Sequence, residues 1–277
     1  MEKRIQASTV PPFGTPINNA HPMAHRLKAC WLFNTGAGQC LVDSSGNLPP
    51  QPEAGASSSL VNWQTGGRNG PAAKINGTDS SSAGYWNFGD QLDLRLNDLT
   101  IACWFKTTDT DFNIFAKSKN AGGGPRIVFG LGNGGNFQCF MDFPASVANS
   151  CSLSLVNTGL WVHVLWSVNR IGNGNMYING ALNSTANFSG GAAVDMDSVF
   201  VSLIGAYNDV AGTGVLSTLR FNGSIESLMM WHRAFTPGEA YSHYLDSYQM
   251  FNSPRSSRIF SVPAGGIGRF ALLGVGR

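Results

Sequence analysis

Between Trp161 and Thr185 the chain reads WVHVLWSVNRIGNGNMYINGALNST, and its apolar positions recur every second residue. Val162, Val164, Trp166 and Val168 fall on one side of an extended chain, with His163, Ser167 and Asn169 on the other, the pattern of a half-buried strand. Asn173-Gly174 and Asn179-Gly180 are pairs that tolerate positive φ, so two successive hairpins are expected around a second extended run, Asn175 to Ile178. From Leu99, LTIACWFK places Leu99, Ile101, Cys103 and Phe105 on one face and Trp104 on the other. With apolar character on both faces, it reads as a central strand. Leu27 to Asp43 gives two short strands about a Gly36-Ala-Gly38 turn. Further strands are expected at Asn113 to Lys117, Arg126 to Leu131, Asn136 to Phe140, Val199 to Gly205 and Phe221 to Trp231. Turn signals recurring about every 8 to 12 residues are the mark of a sandwich or barrel. The stretch Ser57 to Gly84 is polar and glycine-rich around Trp63, and no long element is expected there.

One helix is predicted on local grounds. Thr236 can cap it, Pro237 suits its first position and Glu239 completes a capping box. Ala240, Tyr241, Tyr244, Leu245 and Tyr248 then form an apolar stripe expected to pack on the sandwich edge. Residues 1–26 carry Pro11, Pro12, Pro16 and Pro22 without periodicity, and read as an extended arm that docks on something. Residues 249–277 mix apolar pairs with Gly, Pro and Arg and read as a second arm, anchored to a partner or to the domain's own flank. The expected organisation is therefore an arm over 1–26, a β-domain over 27–248 and an arm over 249–277.

Four phrases carry a family resemblance: ACWLFNTGAG followed by VDSSGN, LTIACWFK, the strand and turn around MYINGAL, and LIGAYND followed by FNGSIESLMMWHRAFTPGEAYSHY. Together they resemble the laminin-G-like (concanavalin A-like lectin/glucanase) jelly rolls of the kind found in tailed-bacteriophage virion proteins. The resemblance implies an all-β, two-sheet antiparallel jelly-roll sandwich with one short C-terminal helix and extended terminal arms. It also implies a virion setting, with assembly in the host cytoplasm.

Composition narrows the function. Of 277 residues only 12% are charged, while glycine numbers 34. So little charge suits short strands and tight turns, and a protein that hides surface in an assembly. A net charge of +2 is too small to argue for nucleic acid. The five cysteines show no metal spacing and are expected to be reduced, buried hydrophobes. No apolar signal core and no apolar run of 18 residues is seen, so neither secretion nor membrane insertion is expected.

Enzymatic chemistry is not expected. Glucanases on this fold place carboxylates in an E-x-D-x-(x)-E strand, and the four glutamates here, Glu2, Glu53, Glu226 and Glu239, lie in no such pattern. His163 and His232 have no nucleophile motif near them and read as structural. No cofactor is expected, and calcium is the one candidate ion, with Asp195, Asp197 and Asn208-Asp209 as the rim oxygens that could hold it.

Two binding functions remain. The first is a capsid decoration or auxiliary protein, oligomeric or lattice-bound, attached to the major capsid protein or other virion proteins through arm residues Arg4, Arg26, Arg255, Arg258, Phe260, Arg269 and Phe270. The second is a module on a tail or head fibre that recognises a host glycan or receptor, with Trp63, Trp86 and Tyr207 as candidate contacts.

Overall fold

The structure, a computed structural model, describes residues 9–36, 40–54, 61–76, 84–120, 124–134, 136–143, 149–154, 156–216 and 218–251. In chain order the strands are β1 (Leu27–Trp31), β2 (Cys40–Leu41), β3 (Gln51–Ala54), β4 (Val61–Gln64), β5 (Ala72–Ile75), β6 (Tyr85–Asn87), β7 (Leu99–Lys106) and β8 (Asn113–Lys117). There follow β9 (Arg126–Asn133), β10 (Asn136–Asp142), β11 (Asn149–Ser154), β12 (Val162–Val168), β13 (Asn173–Ile178), β14 (Ala181–Asn187), β15 (Ser202–Ile204) and β16 (Gly223–Trp231), then helix α1 (Pro237–Leu245). One sheet runs β14-β13-β12-β7-β16-β5-β4, with β1 paired to the far half of β16, and the other runs β11-β10-β9-β8-β15-β6-β3-β2. Every pairing is antiparallel, and non-sequential neighbours such as β7 and β16 make the crossovers of a jelly roll. No helix among the described residues is long and apolar enough to cross a membrane.

The alternation explains the inner faces. Val162, Val164, Trp166 and Val168 join Leu99, Ile101, Cys103 and Phe105 in one cluster with Phe129, Phe137 and Cys139 from the opposite sheet. Phe105 stacks on Phe137 across that interface with ring centroids 5.5 Å apart. Packing of this kind removes apolar surface from water at about 25 cal/mol per Å².

Four expectations need correction. The strand β12 is not half-buried: all seven of its residues are buried. Its outer side is covered by α1 and by segments within residues 9–26 and 246–251, in a separate cluster that includes Val10, Met23, Leu165, Tyr177, Trp231, Ala240 and Tyr248. Secondly, Asn173-Gly174 is not a turn but the start of β13. The hairpin closes earlier, where Asn169 Oδ1 accepts from Ile171 N at 3.0 Å and Gly172 N donates to Asn169 O at 3.0 Å. Asn179 and Gly180 do take positive φ, +47° and +81°, and join β13 to β14. Thirdly, the cysteines are not all buried, since Cys40 in β2 is exposed, whereas the described part of the glycine-rich stretch holds only the short strands β4 and β5 and so no long element. Fourthly, α1 spans the expected residues with both arms of its capping box made, but it turns Ala240 and His243 inward and leaves Tyr241 exposed.

The N-terminal segment from residue 9 docks on the domain's own flank. Val10 N donates to Asn69 O at 3.1 Å, Asn18 N to Met250 O at 2.8 Å, and the Trp231 indole N–H to Met23 O at 2.7 Å. Residues 9–26 thus lie against the flank of the sandwich.

Candidate functional site

The outer face of the first sheet is covered in its middle but open near one end of β12 and β13. There Ser167, Asn169, Asn173 and Asn175 line a cleft of about 300 Å³, closed on the other side by Ala234, Phe235 and Thr236 at the start of α1. Strand geometry puts the polar groups together. Ser167 lies opposite Asn175 in the β12–β13 ladder, and Asn173 and Asn175 are two residues apart, so both face the same way. One strand further, Asn175 pairs with Thr185 and Asn173 with Asn187, extending a row of amides and hydroxyls towards the sheet edge.

The wall is fixed by hydrogen bonds. Ser167 Oγ donates to Phe235 O at 3.1 Å and accepts from Phe235 N at 2.8 Å, tying the chain before the helix to β12. Thr236 Oγ1 accepts from Glu239 N at 3.3 Å and Glu239 Oε2 accepts from Thr236 N at 2.8 Å. The other Glu239 oxygen takes the Arg233 guanidinium at 2.7 Å. These bonds hold the Glu239 carboxyl below its usual range against the opposing effect of burial.

The floor keeps unused donors and acceptors. Thr185 Oγ1 donates to Asn175 Oδ1 at 2.9 Å, which leaves the Asn175 amide N–H groups without a protein partner among the described residues. The Asn173 side chain makes no hydrogen bond to them either, and it is exposed. No titratable group lines the cleft. Its Ser167 hydroxyl is spent on backbone, so the site holds no nucleophile and no acid–base pair. Side-chain amides offer donor and acceptor together, which suits vicinal hydroxyl groups. Further along the helix, Tyr241 exposes 53% of its surface beside the β13–β14 turn. A Cβ at Gly180 would fall 2.9 Å from that ring, so the turn and the ring pack together.

The sequence-derived candidates lie elsewhere. Trp86 is fully buried in the central core, edge-on to Phe33 at 5.6 Å, and cannot present its ring to a glycan. Tyr207 is 4% exposed among Ala116, Val128 and Phe140, and is likewise a packing residue. Trp63 is half-buried in β4 against the core edge. Arg26 stands at the surface just before β1, donating to His232 O at 3.3 Å. Arg4, Arg255, Arg258, Phe260, Arg269 and Phe270 lie outside the described residues. Of the rim oxygens considered for calcium, Asp197 is 2.7 Å and Asp195 3.7 Å from the Arg95 guanidinium, so a cation already occupies their field. Asn208 Oδ1 accepts from Ser118 N and Asp209 Oδ1 from Gly212 N. No group of three or more metal-ligating side chains forms among the described residues.

The cleft residues were visible in the sequence as the polar half of the β12 alternation and its continuation in Asn173 and Asn175. What hid them was the turn assignment, which removed Asn173 from the strand.

The two crossed-over antiparallel sheets define a jelly roll of lectin type. The profile of the concanavalin A-like lectin/glucanases superfamily matches residues 76–240, more than half of the chain, and the chain belongs to that family. No curated protein matches it. Among solved structures, domain 4 of AbnA, a GH43 extracellular arabinanase from Geobacillus stearothermophilus, in complex with arabinotriose, superposes with a TM-score of 0.59 at 21% identity, covering 78% of this chain and 97% of that one. The binding domain of Paraclostridial Mosquitocidal Protein 1 gives 0.58 at 16% identity, covering 79% and 52%. The ligand-binding domain of botulinum neurotoxin serotype D, in complex with N-acetylneuraminic acid, gives 0.55 at 16%, covering 82% and 51%. The chain thus spans about half the length of these toxin binding domains. At such identities the likeness is one of fold.

Proposed function

We propose that this protein is a non-catalytic glycan-binding module, and that the cleft between β12, β13 and the start of α1 takes a neutral sugar. The observation that carries this reading is the pair of amides Asn173 and Asn175, whose N–H groups have no protein partner among the described residues, in a cleft with no titratable lining. One structural relative supports it: the AbnA domain, matched over 97% of its length, is in complex with arabinotriose. The carboxylates support a non-hydrolytic role: Glu239 is committed to the helix cap, and Glu226 is buried beneath Tyr248. A phage virion is the setting we assign to the module, on the strength of the sequence phrases that resemble virion jelly rolls.

The test is calorimetric titration of the full chain with a panel of neutral trisaccharides. At least one should bind, and Asn173→Ala or Asn175→Ala should each weaken it about three- to tenfold, the worth of one hydrogen bond. Binding unchanged in both variants would sink the reading. Attachment to a capsid is the second reading. It is favoured by the basic ends of the chain, and removal of residues 252–277 should then abolish incorporation into particles while the purified domain stays folded.

A further inference from the structure

A second cleft, of about 280 Å³, opens where β1 begins and β16 ends, and its charge is unlike that of the first. Arg26, Lys28 and His232 line it together with the amides of Asn47 and Asn97. The pairing of Leu27 with Trp231 brings these residues side by side, and His232 N donates to Arg26 O at 3.0 Å. Asn47 Nδ2 bonds the carbonyls of Leu27 and Lys28 at 3.2 and 3.1 Å, fixing the strand that carries the lysine. Arg26 is held at φ +59°, the left-handed region that a branched, long side chain rarely adopts.

No carboxylate lines the cleft, and no ion pair reaches Arg26 or Lys28 among the described residues. Most other described cations are neutralised or stacked. Lys117 meets Asp90 and Asp93, Arg126 meets Asp142, Arg233 meets Glu239, and Arg68 lies 3.7 Å over the Trp104 ring. Three acids near the cleft in the chain or in its field are already in use, Asp98 by accepting from Arg170 N at 2.9 Å. Asp43 caps the amides of Cys30, Ser45, Asn47 and Leu48, and Asp93 binds Lys117 and Ser198 N. His232 Nε2 is shut away from solvent without a hydrogen-bond partner. Burial, Lys28 and Arg26 together push its imidazole down to about 4 against the opposing effect of Asp93, so the cations outweigh the nearby carboxylate at the cleft's own lining.

We propose that this cleft is an anionic-sugar subsite that binds the carboxylate of an acidic saccharide residue, with Arg26 and Lys28 as the charged donors, while Asn47 and Asn97, whose amide N–H groups are held by backbone carbonyls, form its fixed wall. It rests on the glycan-binding reading and adds a class of sugar the first cleft does not suit. A carboxylate accepts charge-assisted hydrogen bonds from a guanidinium and an ammonium at once, and a cleft of this size suits one sugar ring better than a polymer segment.

The full chain is titrated with glucuronate, N-acetylneuraminate, glucose and inorganic phosphate. At least one sugar acid should bind where glucose does not, weaken with added salt, and lose about tenfold in affinity in Lys28→Gln and in Arg26→Gln. Lys28→Arg should restore it, and Asn175→Ala should leave it unchanged. Thermal unfolding checks that each variant is folded, and Lys28→Gln alone decides the matter should Arg26→Gln unfold. Sugar acids that bind Lys28→Gln as well as the parent, or that bind nowhere, overturn the proposal. So does phosphate that occupies the cleft and is not displaced by either sugar acid, which would make it a plain oxyanion site. Loss of neutral-sugar binding in Asn175→Ala bears only on the first cleft, so the two readings fail separately.

Discussion

Over β7, β12 and β16 both faces of the first sheet are buried, but they are buried by different materials. The inner face meets the second sheet through hydrocarbon and aromatic rings, with Trp166, Phe105 and Ile101 at or below 1% exposure. The outer face meets residues 9–26, α1 and residues 246–251, and this contact is mixed. Trp104 donates through its indole to Ser247 Oγ at 2.9 Å, Tyr248 Oη donates to Glu226 Oε1 at 2.8 Å, and His163 Nε2 sits 3.0 Å from His243 Nδ1. Apolar packing is tolerant of exchange when volume is kept, whereas a buried polar pair that loses one member leaves the other unsatisfied. The inner face therefore sets how stable the sandwich is, and the outer face sets where residues 9–26 and 246–251 dock.

The largest expected effect tests the inner face. Trp166→Ala removes a fully buried indole that lies edge-on to Phe188 at 5.8 Å, and should cost about 3–5 kcal/mol in urea unfolding. A loss below about 1 kcal/mol would mean that the outer layer carries the sandwich.

The next effect belongs to the outer face and depends on pH. Burial holds His243 down to about 3 and His163 well below its ordinary 6.5, the latter helped by its neighbours His243 and Arg68. Both are neutral when folded but take up protons when unfolded, so stability is full above about pH 6.5 and falls as the medium is acidified. Each imidazole contributes a slope of at most about 1.4 kcal/mol per pH unit, reached only well below pH 6.5, so the pair should lose about 2 kcal/mol between pH 6.5 and 5.5. His232, held at about 4, acts in the same direction. Glu226 acts in the other, because burial raises its carboxyl and folding then takes up a proton. Glu226→Gln should accordingly steepen the acid loss, and His163→Leu with His243→Leu should flatten it. A stability profile level from pH 7 to 5 would show that these imidazoles are solvated.

Inner and outer faces also differ in how far they could be read beforehand. A period of two named the inner residues of β7 and β12 directly, and Thr236, Pro237 and Glu239 fixed the start of α1, because those signals are local. The cover on the outer face comes from residues about 200 positions away, as in the bond from Trp231 to Met23, and no local period reports such a contact. His163 shows the consequence. Its alternation placed it on a polar, solvent-facing side, and a second histidine eighty residues later made that side an interior. The candidate clefts were half legible for the same reason. Ser167, Asn169 and Asn175 stand out as polar strand positions, whereas the meeting of Arg26 and Lys28 with His232 depends on β1 pairing with the last strand.

Docking of the N-terminal segment can be tested without touching the inner face. Trp231→Phe keeps a ring against Phe235, 4.7 Å away, but leaves the Met23 carbonyl without its donor. The expected cost is about 1–3 kcal/mol, the penalty of one unsatisfied buried group. Amide exchange should then quicken at Val10 and Asn18, whose N–H groups bond Asn69 and Met250, and stay slow in β9 and β10. Equal acceleration in both places would erase the distinction between a docked cover and a core.

The smallest effect joins the cover to the first cleft. Thr236→Ala removes the hydroxyl that accepts from Glu239 N, and should cost about 1 kcal/mol, with Thr236→Ser recovering most of it. Thr236 also stands in the cleft wall, so the two variants separate a cap from a contact. If the wall matters only because it is held in place, sugar affinity follows stability and Ser restores both. If the threonine methyl itself packs against a bound sugar, Thr236→Ser restores stability and leaves affinity reduced, and calorimetry beside thermal unfolding on the same samples tells these apart.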